Sequence, residues 1–373
     1  MLKDELTIVL LLKGRDNFSV RWFDHAVANS LPCKVLVADG GHDHGLENRL
    51  RLNHVFDKID CDYIKYPFDE NIPTFFRKVS DALKRVKTPF VVLASNDDFY
   101  FFDALAASME FLKGNPDFAC SRGEIWDFSV IPRNPGSYVY GEMCGIRKLY
   151  HHPTVSGESA IERVGDFAAK FHSSFHDVIR TPLLAAAIAK AVDSGLADYR
   201  FAEECFSFLI AVAGKIHRGD QLYMLHQAHP DMAALTDFNS LTEWVLDERW
   251  QGDFDLFAKC VAAAVSEADG TEFYRLKCDV MKIYVSRCIL HRAFKDLENN
   301  ALKSPRLSKL LLSKTKTLIG RNKALHALAR NTLDVVRNLS AKKTPGHVGH
   351  PEAFQRQIGE VRAFLKRTPQ LHA

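Results

Sequence analysis

The chain has 373 residues, 47% hydrophobic and 25% charged, with a net charge of +3; this is an ordinary globular composition, long enough for one large domain or two modest ones. No run of about 18 apolar residues occurs, which excludes a membrane-spanning helix. The eight cysteines (33, 61, 120, 144, 205, 260, 278 and 288) form no C-x-x-C pair, which argues against a zinc site or a disulfide scaffold and fits a reducing cytoplasm.

The opening MLKDELTIVLLLKGRD has too short an apolar run for a signal peptide, and acids precede that run. LTIVLLL (6–12) instead reads as a strand covered on both faces. Residues 17–29 follow as a helix with Phe18, Trp22 and Ala26 on one side. KVLVA (34–38) is the second strand, stopping at Asp39-Gly40-Gly41, and DYIKY (62–66) is the third. Phe76, Val79, Leu83 and Val86 mark a helix face. PFVVLA (89–94) is a fourth strand, and Phe102, Leu105, Met109 and Leu112 mark a helix closed by Gly114-Asn115-Pro116. Strands alternating with helices predict a mostly parallel α/β sheet with right-handed crossovers. Residues 117–160 read as short strands and loops, 182–192 and 201–213 as helices, and 221–225 as a short edge strand. Residues from 239 onward read as helix, with breaks near Gly252, Gly270 and Pro305. Residues 306–339 are a basic amphipathic stretch with Leu311, Leu318, Leu325 and Leu328 on one side. Residues 344–351 form a linker before a last helix.

Charge is uneven along this plan. Residues 301–373 hold 15 Lys and Arg against Asp334, Glu352 and Glu360, a balance of +12, so the first 300 residues sum to −9. A basic tail on an acidic body suggests an anionic surface as partner.

Chemistry concentrates at strand ends. Asn96, Asp97 and Asp98 follow the fourth strand, and in an open α/β sheet ligands sit beyond the carboxyl ends of strands. Adjacent carboxylates are costly unless a cation neutralises them, and oxygen ligands favour Mg²⁺ or Mn²⁺. The competing explanation is a helix N-terminus with acids near the dipole. The first strand ends in Lys13-Gly14-Arg15 and the second in Asp39-Gly40. Lys13 and Arg15 could meet phosphate, Asp39 a base or ribose, and Gly40 lets a ligand approach the backbone. No G-x-G-x-x-G follows the first strand and no P-loop motif exists, which disfavours a dinucleotide fold and excludes a P-loop enzyme.

In this order LTIVLLLKGR, VLVADGG and TPFVVLASNDDF resemble the family 2 glycosyltransferases of the GT-A fold over roughly residues 6–230. The resemblance implies a nucleotide-diphospho-sugar transferase that uses Mn²⁺ or Mg²⁺. It places Asp39 at the nucleotide base, Asp97 at the ribose or donor sugar and Asp98 at the metal. Asp97 is a second candidate for the metal, and Asn96 is a donor-site candidate. Lys-Gly-Arg departs from the family's opening motif. DYRFAEECF resembles the family's later acidic pair, which places a general base on Glu204 with Glu203 beside it and implies inversion at the anomeric carbon. A carboxylate suits this work because a hydroxyl attacks well only as its proton is removed. His226, ahead of His229, matches a histidine that completes the metal or diphosphate site. His176 and Arg180 are acceptor candidates, Arg180 as a clamp on an anionic group.

The expected partners are a nucleotide-sugar donor and a glycan or lipid-linked acceptor. The expected location is cytoplasmic, with residues 306–339 either lying on an anionic membrane face or packing on the catalytic domain. Nucleic acid is not expected, because the basic tail lacks interleaved aromatics. The expected domains are a catalytic region 1–235, divided near 120 into nucleotide and acceptor halves, and a helical region 236–373. The alternatives are a catalytically inactive glycan- or membrane-binding relative and a nucleotidyltransferase. The latter would want a Gly-rich loop carrying Lys or Arg.

Overall fold

The computed structural model describes residues 2–134, 136–149, 152–230, 241–290, 292–293 and 352–367. The basic stretch 306–339 and the linker 344–351 lie outside the described residues. The chain divides into two units, Met1–Cys288 with Gln357–Ala373, and Ile289–Arg356. The first unit carries the sheet and every candidate residue named above.

A short helix α1 (Leu2–Glu5) leads into β1 (Leu6–Leu12), all seven residues of which are buried, as an apolar run covered on both faces requires. After it come α2 (Asp16–Ala28), β2 (Lys34–Asp39), α3 (Gly45–Leu52), β3 (Cys61–Lys65), α4 (Ile72–Arg85) and β4 (Phe90–Ala94). Asn71 starts α4 with a reciprocal capping box to Thr74, satisfying N–H groups that a helix start leaves without partners. The strands β3, β2, β1 and β4 lie side by side and pair in parallel, with Leu12 opposite Asp39 and Asp39 opposite Lys65. That register sets the ends of the first two strands next to each other.

Past β4 the sheet is mixed. The two-residue β5 (Phe99–Tyr100) precedes α5 (Phe102–Gly114). A fifteen-residue β6 (Phe118–Pro132) pairs antiparallel with β7 (Gly141–Lys148) and with β8 (Val178–Arg180), which in turn runs antiparallel to β4. Helices α6 (Ala160–Ala169), α7 (Thr181–Asp193) and α8 (Tyr199–Ala213) surround these strands in sequence. The expected edge strand at 221–225 is part of β9 (Lys215–Gln227), which lies inside the sheet, parallel to β6 and antiparallel to β5. Its apolar core residues Tyr223, Met224 and Leu225 are accordingly fully buried.

The remaining helices among the described residues are α9 (Leu241–Leu246), α10 (Trp250–Asp269), α11 (Phe273–Ile283) with a π-helical continuation at Tyr284–Ile289, and α12 (Glu352–Leu365). Gly252 sits within α10 rather than breaking it, whereas Gly270 ends α10 in the left-handed conformation that favours glycine. Helix α10 packs on α8 and α6, so the helices through Cys288 share a core with the sheet domain. Aromatic rings build that core: Phe201, Phe208, Phe254 and Phe257 all lie within ring-contact distance of Tyr284. Among the described residues no helix is long and apolar enough to cross a membrane.

Candidate functional site

The carboxyl ends of β1, β2 and β4 converge. At the end of β1 the backbone turns through two consecutive left-handed residues, Gly14 (φ +76°) and Arg15 (φ +59°). The second is uncommon for a side chain with a Cβ and marks a turn held by its surroundings. What holds it is visible. Arg15 Nη1 donates to Asp97 Oδ2 at 2.7 Å, and the Asn96 amide lies 3.4 Å from the Gly14 and Arg15 carbonyls while donating to Ser19 Oγ at 2.9 Å. Lys13 is exposed beside the turn, its Nζ 5.5 Å from the centre of the Phe68 ring.

At the end of β2, Asp39 is buried and already engaged. Its carboxylate accepts from Tyr63 Oη at 2.7 Å, Lys65 Nζ at 3.0 Å and the Gly41 N–H at 2.7 Å. Gly40 is required by packing, because a Cβ there would collide with the Asp69 carboxylate. Asp69 forms a buried ion pair with Lys78, whose Nζ also donates to the Leu12 carbonyl at 2.8 Å. Burial pushes the Asp69 carboxyl up and the Lys78 ammonium down, and their mutual attraction opposes both. Tyr63, Lys65, Asp69 and Lys78 were not singled out from the sequence. Only the Lys-Tyr ending of the third strand hinted at a polar end.

Asn96, Asp97 and Asp98 lie between β4 and β5, not at a helix start, since α5 begins at Phe102. The two acids face different surroundings. Asp97 Oδ2 receives Arg15 and also sits 2.9 Å from His229 Nε2, with the His229 ring stacked on Phe18. Burial opposes ionisation of Asp97, but the His229 hydrogen bond and the Arg15 charge outweigh it and hold the carboxyl well below the usual range. Asp98 lies deeper, its side chain 1% exposed against 8% for Asp97. Its Oδ1 accepts the Gln227 N–H at 3.2 Å, and its Oδ2 is a buried oxygen with no hydrogen-bond partner among the described residues. Burial pushes the Asp98 carboxyl up to about 7. Arg21, wholly buried, ties this loop to β9 and to the segment after β6. It donates to the Asp97 carbonyl at 2.7 Å, Gln227 Oε1 at 2.5 Å and the Val139 carbonyl at 3.0 Å.

The histidines divide by the strands that carry them. His226, opposite Asp127 in the β6–β9 ladder, has Nδ1 2.9 Å from Asp127 Oδ1. Burial disfavours its charge, yet Asp98 and Asp127 outweigh burial and raise its pKa to about 9. Of the two histidines, His229 is the one in hydrogen-bond contact with Asp97, and His226 the one in contact with Asp127. His176 does enter the site: its Nε2 is 3.8 Å from Asp98 Oδ2 and its Nδ1 is 2.6 Å from Tyr100 Oη. Arg180 does not. Because β8 runs antiparallel to β4, Arg180 lies opposite Phe90, at the far end of the strand from Asp97. There it donates to the carbonyls of Leu112, Asn115 and Phe118, satisfying the C-terminal end of α5.

The acidic pair on α8 separates by helix face. Glu204 is 3% exposed and accepts a hydrogen bond from Tyr284 Oη. It shares its face with Phe201 and Phe208, three before and four after, and that face looks into the aromatic helical core. Its carboxylate thus lies among aromatic rings and not at an exposed surface. Glu203, only partly buried, lies on the stripe of Tyr199 and Phe206, whose rings sit about 6.3 Å from Phe76 in the first turns of α4. One turn on, Ser207 Oγ accepts from the Ser174 N–H, in the loop that carries His176. The face bearing Glu203 therefore packs beside the start of α4, and one turn further on it meets the loop that carries His176.

Among the described residues no three His, Cys, Asp or Glu side chains stand close enough together to hold a metal ion.

No protein-family model matches the chain, and no curated protein matches it. Among solved structures it is similar to S. aureus TarS (TM-score 0.48, 13% identity), over 76% of this chain and 43% of that one, so this chain spans under half the length of TarS. It is similar to TarS 1-349 in complex with UDP-GlcNAc (TM-score 0.49, 14% identity), over 76% and 72% of the two chains. It is also similar to the mannosyltransferase PcManGT from Pyrobaculum calidifontis in complex with GDP-Man and Mn²⁺ (TM-score 0.43, 13% identity), over 91% and 88%.

Proposed function

We propose that this chain is a glycosyltransferase that moves a sugar from a nucleoside-diphosphate donor to a hydroxyl of a glycan or lipid-linked acceptor, with inversion. The observation that carries the proposal is the convergence at one sheet edge. A left-handed turn presents Lys13 and Arg15, Asp39 and Gly40 end the neighbouring strand, and Asp97 is pinned between Arg15 and His229. A second acid, Glu203, stands on a helix face that meets the loop carrying His176.

In this reading the base and ribose lie along the ends of β1 and β2, where Asp39 is held rigid by Tyr63 and Lys65. Lys13 and Arg15 meet the diphosphate. Asp97 and His229 Nε2 would hold a divalent cation, with the Asp98 carboxylate next in the chain. One carboxylate and one imidazole would suit Mn²⁺ better than Mg²⁺, in a site completed by phosphate and water. Such a cation, when bound, neutralises charge on the departing diphosphate. Arg15 would release Asp97 to take up phosphate. Glu203 accepts the proton of the acceptor hydroxyl as its oxygen bonds to the anomeric carbon. The bond from that carbon to the diphosphate breaks with its electron pair leaving on the diphosphate, and the configuration inverts.

The test is thermal stability with UDP, GDP, TDP, CMP and ADP, each with and without Mn²⁺. A ligand that binds only the folded chain raises its melting temperature according to affinity. The reading requires a shift with at least one nucleotide, larger in Mn²⁺ and absent from Asp97→Asn. No shift with any of the five refutes it.

A further inference from the structure

Two buried arginines sit away from the donor edge, in a groove that the function above leaves unused. Arg122 of β6 and Arg218 of β9 lie opposite one another in the ladder, with side chains 6% and 4% exposed. They share one carboxylate, that of Asp177, which is fully buried. Arg218 Nη2 donates to Asp177 Oδ2 at 2.9 Å and its Nε to His172 Nε2 at 3.0 Å. Arg122 Nε is 3.3 Å from Asp177 Oδ1 without the geometry of a hydrogen bond, and has no other partner among the described residues.

Two buried guanidinium groups against one carboxylate leave a net positive charge inside the protein, a costly arrangement unless something answers it. Among the described residues, the other charges lining the groove do not. Glu124 is paired with Lys148 and accepts from Trp126 Nε1 at 2.9 Å, and Asp220 is exposed at the mouth. The surrounding groups register the positive field. After burial, the largest charge effects on His152 and His172 come from Arg122 and Arg218, and all of these lower the two imidazoles' pKa values. Gly123 and Gly219 leave the groove without side chains between the two arginines, and a Cβ on Gly123 would collide with the Gln221 carbonyl.

We propose that this groove between β6, β7 and β9 is an anion subsite for the acceptor, in which Arg122 and Arg218 take a phosphate or carboxylate group carried by the acceptor glycan. The proposal deepens the transferase reading and rests on it for the identity of the acceptor. The placement suits that role. Arg122–Arg218 and Asp127–His226 are two positions in one ladder, five residues apart on β6 and eight on β9, with register shifts between them. The two sites also meet through one dipeptide, His176 reaching Asp98 and Asp177 reaching the arginines.

The experiment uses the full chain saturated with its nucleoside diphosphate and Mn²⁺, so that an added anion does not report on the diphosphate site. Methyl phosphate and methyl glucuronide are titrated separately by calorimetry, with methyl glucoside as the neutral control. The expected result is saturable binding of one or both anions, which names the charged group, and no binding of the control. Arg218→Gln should weaken that binding at least about tenfold, as loss of a charge-assisted hydrogen bond does. Asp220→Lys, an exposed change, should tighten it about threefold. Equal binding by wild type and a folded Arg218→Gln protein overturns the proposal, as does equal binding of the neutral control. Should Arg218→Gln fail to fold, Asp220→Lys decides, and unchanged affinity there overturns it. If no nucleotide binds, the transferase reading fails on that result, and the anion titration on the unliganded chain still tests the groove.

Discussion

Lys78→Met tests the frame that holds the ends of β1 and β2 together. Met keeps most of the volume of Lys and removes its charge, so it leaves the Asp69 carboxylate, 1% exposed, without its partner and the Leu12 carbonyl without its donor. Breaking a buried pair from one side typically costs about 3–5 kcal/mol, whereas replacing both partners by apolar groups is often near neutral. With a urea m-value of about 3 kcal/mol/M for a chain this large, the single variant should lower the unfolding midpoint by about 1–2 M. Asp69→Leu with Lys78→Met should recover most of that loss, and Asp69→Leu alone should resemble Lys78→Met. Gly40→Ala should fall in the same class, because its new Cβ displaces the Asp69 carboxylate from Lys78. The assay is equilibrium urea unfolding of the four members of the cycle, read by tryptophan fluorescence. If the double variant is destabilised by the sum of the singles, Asp69 and Lys78 are not coupled and the reasoning fails.

Glu203→Gln should cut the transfer rate at least about a hundredfold, as loss of a general base does, with nucleotide binding and melting temperature little changed. Glu204→Gln should do the reverse, costing about 1–3 kcal/mol at its buried bond to Tyr284 and leaving the rate of the folded protein near wild type. Steady-state rates and melting curves of the two variants would show the assignment to be wrong if their effects were exchanged. Arg180→Ala should lower stability by about 1–3 kcal/mol through the three carbonyls it leaves without changing KM for acceptor; a raised KM would return it to the acceptor site. His25, packed between Phe99 and Phe364, has its pKa lowered to about 3, by burial first and then by the Arg21 charge. Below pH 6.5 the unfolded chain therefore binds a proton that the folded chain refuses, and stability falls as pH drops from about 6.5 toward 3. His25→Phe should lessen that slope by about 1.4 kcal/mol per pH unit, measured as urea midpoints at pH 4 to 6.5; an unchanged slope would refute the assignment.

Much of the architecture is legible along the chain because it is local. Seven consecutive apolar residues at 6–12 specify a strand buried on both faces, and Asn71 with Thr74 writes the start of α4 into four residues. The convergence of strand ends was legible for a related reason: parallel strands joined by crossovers put their carboxyl ends side by side, which brings the ends of β1, β2 and β4 together. What failed to transfer were statements about side-chain direction. The strand at 221–225 showed only its apolar middle, and its polar flanks concealed a thirteen-residue strand inside the sheet.

The choice within each pair of like residues was decided only in three dimensions. Glu203 and Glu204 are the same chemically, but a helix turns about 100° between them, so one lies on the stripe that packs beside the start of α4 and the other meets the rings around Tyr284. Asp97 and Asp98 differ by a single step in the turn between β4 and β5, and that step sends one carboxylate to Arg15 and His229 and the other into the interior. Arg180 and His176 are four residues apart, and the antiparallel run of β8 carries them to opposite ends of β4. The partnership of Arg122, Arg218 and Asp177 had no trace in the sequence, because it joins three segments separated by 41 to 96 positions. The sequence alone determined the first four strands and the charged or glycine-bearing ends of β1, β2 and β4, because burial and periodicity act over a few residues. The tertiary structure decided which charges meet, because that depends on the register and direction of strands brought together from distant parts of the chain.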